Sequence, residues 1–287
     1  MLKRLISFII PCALLPLMLV GCSITHYSEP ESYTVGSGSV SGQLRRLDIE
    51  WHSGSVTVKT HEGSEIILTE SKVDRSDAKM RFRLRDGVLT VHPQASGVNV
   101  GILKSKTLEI LIPQAQAASL TRADFELASA DLKLEHLHFS TAKLSTASGN
   151  IKATDCSFDS LEATTASGNF TLQDCTVSSC EADTASGDIS FRGSLREIEF
   201  DTASGDVSIT TDITPTSIEG DTASGNIVLN LPAESEFECE YDVASGDANF
   251  NGFIGSHKKD RFVCGSGKNR YEFDTASGDI TVNANET

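Results

Sequence analysis

The chain has 287 residues, with 24 Lys and Arg against 40 Asp and Glu, a formal net charge of −16 and 39% hydrophobic residues. That is enough apolar material for a sizeable core, while the surplus of acid argues against nucleic acid, whose phosphates would be repelled. Aromatic residues make up 6%, low for a protein that binds sugars on stacking platforms.

Residues 1–21 read as an export signal rather than as part of the fold. Lys3 and Arg4 precede an apolar run from Leu5 to Val20, broken by Pro11 and Pro16, that ends in Leu19-Val20-Gly21-Cys22. Such a basic, apolar, small-residue segment is too short and too interrupted to span a membrane comfortably. Leu-Val-Gly-Cys resembles the bacterial lipobox, which implies cleavage before Cys22 and lipid attachment to its thiol. Ser23 follows rather than Asp, so nothing marks the chain for retention at an inner membrane. Losing Lys3 and Arg4 brings the mature charge to 22 − 40 = −18.

Residues 22–39 are polar, with Pro30, Gly36 and Gly38, and the expectation is a flexible tether behind the anchor. Residues 40–127 are strand-rich but irregular. Leu47, Ile49 and Trp51 alternate with polar residues, Ser53-Gly54-Ser55 looks like a worn corner, and Val56 and Val58 resume the alternation. This region is expected to form the first coils and a cap, because an exposed strand edge at the end of a repeat stack invites polymerisation.

From residue 128 to 287 the chain repeats itself. Ala-Ser-Gly-Asp/Asn begins at Ala147, Ala166, Ala185, Ala203, Ala223, Ala244 and Ala276, with spacings of 19, 19, 18, 20, 21 and 32, after a degenerate copy at Ala128-Ser129-Ala130-Asp131. Leu161, Ala163 and Thr165 alternate before one corner, and Phe170 and Leu172 after it. Period-two alternation on both sides of a Ser-Gly-Asx corner reads as strand, tight turn, strand. A unit of about 20 residues cannot bury a core alone, so copies must stack. The fold expected is all-β: a parallel β-helix, or β-solenoid, with coils of about 19 residues. Ile151, Phe170, Ile189, Val207 and Ile227 should then form one inward column. The insertion at 249–270, with Gly252, Gly255, Gly265 and Gly267, is expected to fold as a hairpin capping the C-terminal end. The corner glycines Gly149, Gly168, Gly187, Gly205, Gly225, Gly246 and Gly278 are expected to turn the chain at positive φ. The Asx side chains should close the same turns locally.

Among chemistry-bearing residues the repeat dominates. Asp183, Asp201, Asp221, Asp242 and Asp274 precede the corner; Asp188, Asp206, Asp247 and Asp279 close it. Calcium would relieve the repulsion within such columns, but Asn150, Asn169 and Asn226 take the closing place as readily, so no metal is expected. Five cysteines follow Cys22. Cys156 and Cys175 fall at equivalent places on adjacent coils, about 5 Å apart and within disulfide reach. Cys239 and Cys264 bracket the last corner and could staple the cap. Cys180 and Cys239 share the inward phase, so buried free thiols are the competing reading. The histidines are scattered, His136-x-His138 being the one pair with ligand spacing. No G-x-S-x-G elbow is present, and no cofactor is implied.

Thr275-Ala276-Ser277-Gly278-Asp279-Ile280, its six upstream relatives and the lead-in from Leu47 to Pro113 resemble the bacterial "putative adhesin" family of β-strand repeats, a domain of unknown function. The resemblance covers residues 45 to 283. It implies an envelope-associated protein, with some members tied to stress responses against membrane-active peptides, and offers no catalytic residues.

Together these readings give a non-enzymatic, lipid-anchored cell-envelope protein on the extracytoplasmic face, serving adhesion, scaffolding or stress-associated binding. Its partners would be the membrane, through the lipid, and cationic peptides or envelope components. The alternatives are a carbohydrate-active β-helix enzyme and a self-assembling surface fibre subunit.

Overall fold

The computed structural model describes residues 22–71, 73, 75–100 and 105–285. The export-signal reading of residues 1–21 lies outside the described residues.

The repeat region is an all-β, solenoid-like stack of coils. Its strands are β10 (Arg122–Glu135), β11 (His138–Ser148), β12 (Ile151–Thr154), β13 (Ser157–Ser167), β14 (Phe170–Ser186), β15 (Ile189–Ser204), β16 (Val207–Thr211), β17 (Ser217–Ser224) and β18 (Ile227–Pro232). From β10 to β16 each pairs in parallel with its equivalent one repeat on: Ile151 lies opposite Phe170, Phe170 opposite Ile189, Ile189 opposite Val207 and Val207 opposite Ile227. All five of these side chains are buried, as the alternation required. Burial drives this pairing because every second residue on each flank is apolar, and parallel stacking in register gathers them into one core.

A coil has three bends, of which only the Ser-Gly-Asx corner is plain in sequence. The second bend puts His136, Asp155 and Asp174 in the left-handed region (φ 55, 51 and 53°), with Gly193 following at 137°. Asp and His tolerate this conformation better than most residues. The 18-residue repeat drops its residue here, so Gln173 faces Arg192 while Cys175 faces Gly193. The third bend, at Asp159-Ser160 and Ser178-Ser179, appears as two consecutive exposed residues between buried ones.

At the N-terminal end lie β1 (Cys22–Thr25), β2 (Thr34–Val35), β3 (Gly38–Val40), β4 (Arg46–His61), β5 (Ile66–Ser71), β6 (Arg81–Arg85), β7 (Val88–His92), β8 (Gly97–Val100) and β9 (Lys106–Pro113). β4 is a full coil edge, pairing in parallel with β10 from Arg46–Arg122 to Lys59–Glu135. Its other edge carries β7 and β9, also parallel. The outermost coil is therefore 88–113, which follows 46–61 in the chain but lies outside it in space. Antiparallel β5 and then β3 cover β9, while β6 and then β2 cover β7.

The expected tether is corrected here. β1 pairs with β8 directly from Cys22. Tyr27 stacks on His92 at 4.1 Å, and Tyr33 lies 5.4 Å from the same ring under the Arg83 guanidinium. Both tyrosines are buried. Two aromatic anchors outweigh the polar composition of this segment, which packs on the cap.

The other end has the same inversion. β19 (Phe237–Val243), β20 (Ala248–Asn251), β21 (Gly255–His257), β22 (Arg261–Cys264), β23 (Asn269–Thr275) and β24 (Ile280–Asn285) complete the chain. β23 and β24 stack on β17 and β18, and β19 and β20 then stack on β23 and β24. The last repeat in sequence is thus inserted beneath the one before it. The insertion forms the expected hairpin: β22 lies antiparallel on β19, and β21 on β22.

Candidate functional site: a double column of carboxylates

The stretch before each of the last five Ser-Gly-Asx corners in sequence alternates apolar and acidic residues. Parallel register lines up the acids on the outer surface. One column runs Glu162, Glu181, Glu199, Glu219, Glu272, Glu240; beside it run Asp183, Asp201, Asp221, Asp274 and Asp242. Successive carboxylates sit one strand spacing apart, about 4.8 Å. The sequence expected the aspartates as a column; it missed the glutamates, whose signal was the Glu two residues ahead of each Asp.

Cations meet these columns at their ends. Lys143 pairs with Glu162, and Arg270 reaches Glu240 and Glu272 at 3.4 Å. Among the described residues no Lys, Arg or His forms an ion pair with the six central acids from Glu181 to Asp221. Partial burial and the neighbouring acids push the Asp183 and Asp221 carboxyls up to about 6. Burial also raises Asp201, Asp274 and Glu199, the last two with help from adjacent carboxylates. The cause is structural: the fold forces like charges together on a half-dry sheet surface.

The second acid column behaves otherwise. The backbone N–H of each corner Asx donates to the Asx side chain on the coil beneath it: Asn169 to Asn150, Asp188 to Asn169, Asp206 to Asp188, and so on to Asp247 to Asp279, at 2.8–3.0 Å. In each pair the first-named residue donates its N–H. The bonds run between coils, which corrects the expectation of locally closed turns. They need only a side-chain oxygen, so Asn and Asp exchange freely.

The corner glycines are required for a different reason from the one expected. A Cβ on Gly149, Gly168, Gly187, Gly205, Gly225, Gly278 or Gly246 would lie 2.0–2.2 Å from a carbonyl oxygen of the adjacent coil. Close approach of stacked backbones excludes a side chain at all seven; clearly positive φ adds to this only at Gly246 and Gly278 (143° and 142°).

Cys156, Cys175, Cys180, Cys239 and Cys264 are all free and buried. Cys156 and Cys175 do stack on adjacent coils, but their thiols donate to the carbonyls of Thr154 and Gln173 at 3.3 Å. Cys239 lies opposite Phe262 and Cys264 opposite Phe237, which sets the two cysteines diagonally rather than face to face, so the expected staple is not formed. Burial pushes the Cys156 and Cys180 thiols up to about 12, far from thiolate chemistry.

One further ionic cluster was not legible. In the cap, Lys106 pairs with Glu70, whose side chain is 2% exposed. The ammonium also donates to the Ala78 carbonyl and lies 4.5 Å over the Trp51 ring. Glu70 accepts the Met80 N–H at 2.9 Å. Burial lowers the Lys106 pKa and, with the Lys106 charge, that of His52. The pair fastens the segment 76–80 to the first coils. His136 and His138 are split by the second bend, His138 bonding Ser157 at 2.8 Å. Among the described residues no cluster of three or more His, Cys, Asp or Glu is placed to hold a metal ion, and no helix is long and apolar enough to cross a membrane.

Similar proteins extend the fold beyond this chain. The structure of a "putative adhesin" from Bacteroides fragilis NCTC 9343 is similar with a TM-score of 0.53 at 14% identity, covering 87% of this chain and 97% of that one. A "putative adhesin" and a "putative lipid binding protein" from Parabacteroides distasonis ATCC 8503 give TM-scores of 0.48 and 0.46 at 12% and 11% identity, each covering 88% of this chain and 97% of the other. No curated protein matches. The family model described as Toastrack DUF4097 matches residues 44–283, from the first full coil to the last, and the chain belongs to that family.

Proposed function

We propose that this protein is a lipid-anchored cell-envelope binding protein, without turnover chemistry, that holds cationic partners on its double carboxylate column. The observation that carries this reading is the run of six central acids without a pairing cation among the described residues. Burial raises Asp183 and Asp221 and the neighbouring acids add to it; a polycation would relieve that added repulsion. The adhesin-like fold relatives support a surface or envelope setting. On this reading the scaffold is a parallel β-helix, and Cys22, at the head of β1, carries the lipid. The antiparallel strands over the N-terminal end, and over Phe237 to Glu240 at the other, speak against the fibre alternative, since they oppose coil-on-coil stacking between molecules. Against the enzyme alternative stands the acid face itself, whose central carboxylates have no ion-pair partner among the described residues.

The test is titration of detergent-solubilised protein with a fluorescent decalysine. Binding should weaken steeply between 50 and about 500 mM NaCl as the screening length falls below about 5 Å. It should weaken further in a variant with Glu181, Asp183, Glu199 and Asp201 changed to Gln or Asn. Equal binding by that variant would overturn the proposal.

A further inference from the structure

Each inner corner of the stack is completed by the coil beyond it through the same three hydrogen bonds. The corner Gly N–H donates to the next coil's Ser carbonyl, as Gly225 to Ser277 and Gly278 to Ser245, at 3.0 Å. The Asx side chain accepts the next Asx N–H, as Asp279 from Asp247 at 2.9 Å. The N–H after the Asx donates to the next Asx carbonyl, as Ile280 to Asp247 at 2.9 Å. Gly246, Asp247 and Ala248 hold these places on the last coil, and among the described residues no coil follows. The hairpin does not replace one: β22 covers β19 only from Phe237 to Glu240, and β20 pairs on one edge alone, with β24.

The core is unfinished at the same place. Phe273, Thr275, Ile280 and Val282 are buried on the preceding coil. Their counterparts Tyr241, Val243, Ala248 and Phe250 are only half-buried. Next to them, Ile254 is 94% exposed.

We propose that the edge 242–251 accepts one further strand, in parallel, from another polypeptide. The occupant is an extended, glycine-bearing segment free of acidic side chains. Its backbone would supply a carbonyl to Gly246, an N–H to the Asp247 carboxylate and a carbonyl to Ala248. Glycine is needed because at every inner corner a Cβ would meet a carbonyl oxygen at 2.0–2.2 Å. Acidic side chains are disfavoured because Asp242 and Asp247 are exposed along this edge. A second copy of this chain does not fit: its own open edge would meet this one antiparallel about a twofold axis, its other Ser-Gly-Asx corners are enclosed between coils, and its other end is covered by β5 and β6. The proposal stands on the backbone edge and is independent of the carboxylate columns.

The probe is a fluorescent nonapeptide, Lys-Thr-Ala-Ser-Gly-Asn-Ile-Thr-Val, added to the full mature chain in detergent and read by anisotropy. We expect saturable binding in 500 mM NaCl, and at least tenfold weaker binding when the peptide's Gly is replaced by Ala. Asp247→Ala, which leaves the Asp247 N–H bonded to Asp279, should also weaken binding at least tenfold while the thermal transition stays in place. Gln or Asn at Glu181, Asp183, Glu199 and Asp201 should leave this binding unchanged, which separates it from the cationic reading. No binding by the Gly peptide, equal binding of the Ala peptide, or a concentration-dependent dimer that blocks the probe would each overturn the assignment.

Discussion

At the scale of single residues, the corner is governed by contact between coils. Gly187→Ala would place a methyl 2.1 Å from the Gly168 oxygen, and backbone on both sides leaves little room to relax. The expected loss is on the order of 3 kcal/mol, the upper range for overpacking, read as a lower denaturation midpoint in urea. Asn169→Asp should be nearly neutral, because the Asp188 N–H at 2.9 Å keeps an acceptor; Asn169→Ala should cost about 1 kcal/mol, one hydrogen bond. The Thr column runs the other way. Thr146, Thr184, Thr202, Thr222 and Thr275 are buried, with hydroxyls that have no protein partner. Thr202→Val keeps the shape and removes an unpaired polar group, so a gain of about 1 kcal/mol is expected by the same denaturation measurement.

At the scale of elements, the acid face trades stability for charge. Asp183 and Asp221 ordinarily titrate near 3.8, and the folded chain holds them at about 6. Between those values the folded state binds more protons than the unfolded one. Their contribution to stability is therefore full below about pH 4 and is lost as pH rises through about 6. The melting temperature should be higher at pH 5 than at pH 7. Asp183→Asn with Asp221→Asn should raise stability at pH 7 by about 1 kcal/mol per site, less than the full linkage value because water screens half-exposed groups. The double variant should also flatten the pH profile; an unchanged profile would count against the raised values. The aspartate column was legible because Asp recurs at one place before each of the last five corners. The repulsion was not, since nothing in a single repeat says how dry its surface becomes when its neighbours lie on both sides.

For the whole molecule, charge is divided lengthwise. Residues 22–113 carry eleven basic and eleven acidic side chains, whereas residues 114–287 carry eleven basic and twenty-nine acidic ones, so the entire −18 lies in the repeats. With β1 paired to β8 from Cys22 onward, a lipid on that residue would set the neutral end against the membrane and project the acidic end outward. Cys22→Ala should move the protein from the membrane fraction to the soluble or precursor fraction; unchanged partitioning would refute acylation there. Shortening residues 26–33 should expose Tyr33 and His92 and lower the melting temperature, an effect that a passive tether would not give.

The sequence by itself determined the coil. Alternating apolar residues on both sides of each corner and a period near 19 leave parallel stacking as the way to bury them, and the inward column from Ile151 to Ile227 followed directly. Those are local patterns, repeated often enough to be unambiguous. The order of coils at the two ends was decided only in the tertiary structure. A repeat carries the same edge whichever neighbour it meets, so the insertion of 269–285 beneath 237–251, and of 46–61 beneath 88–113, depends on which long-range pairing leaves the least edge and core exposed. The same holds for the packing of Tyr27 and Tyr33, the inter-coil bonding of the Asx residues and the open edge at β20. Each depends on what lies across a gap between chain segments, and no period along the chain encodes that.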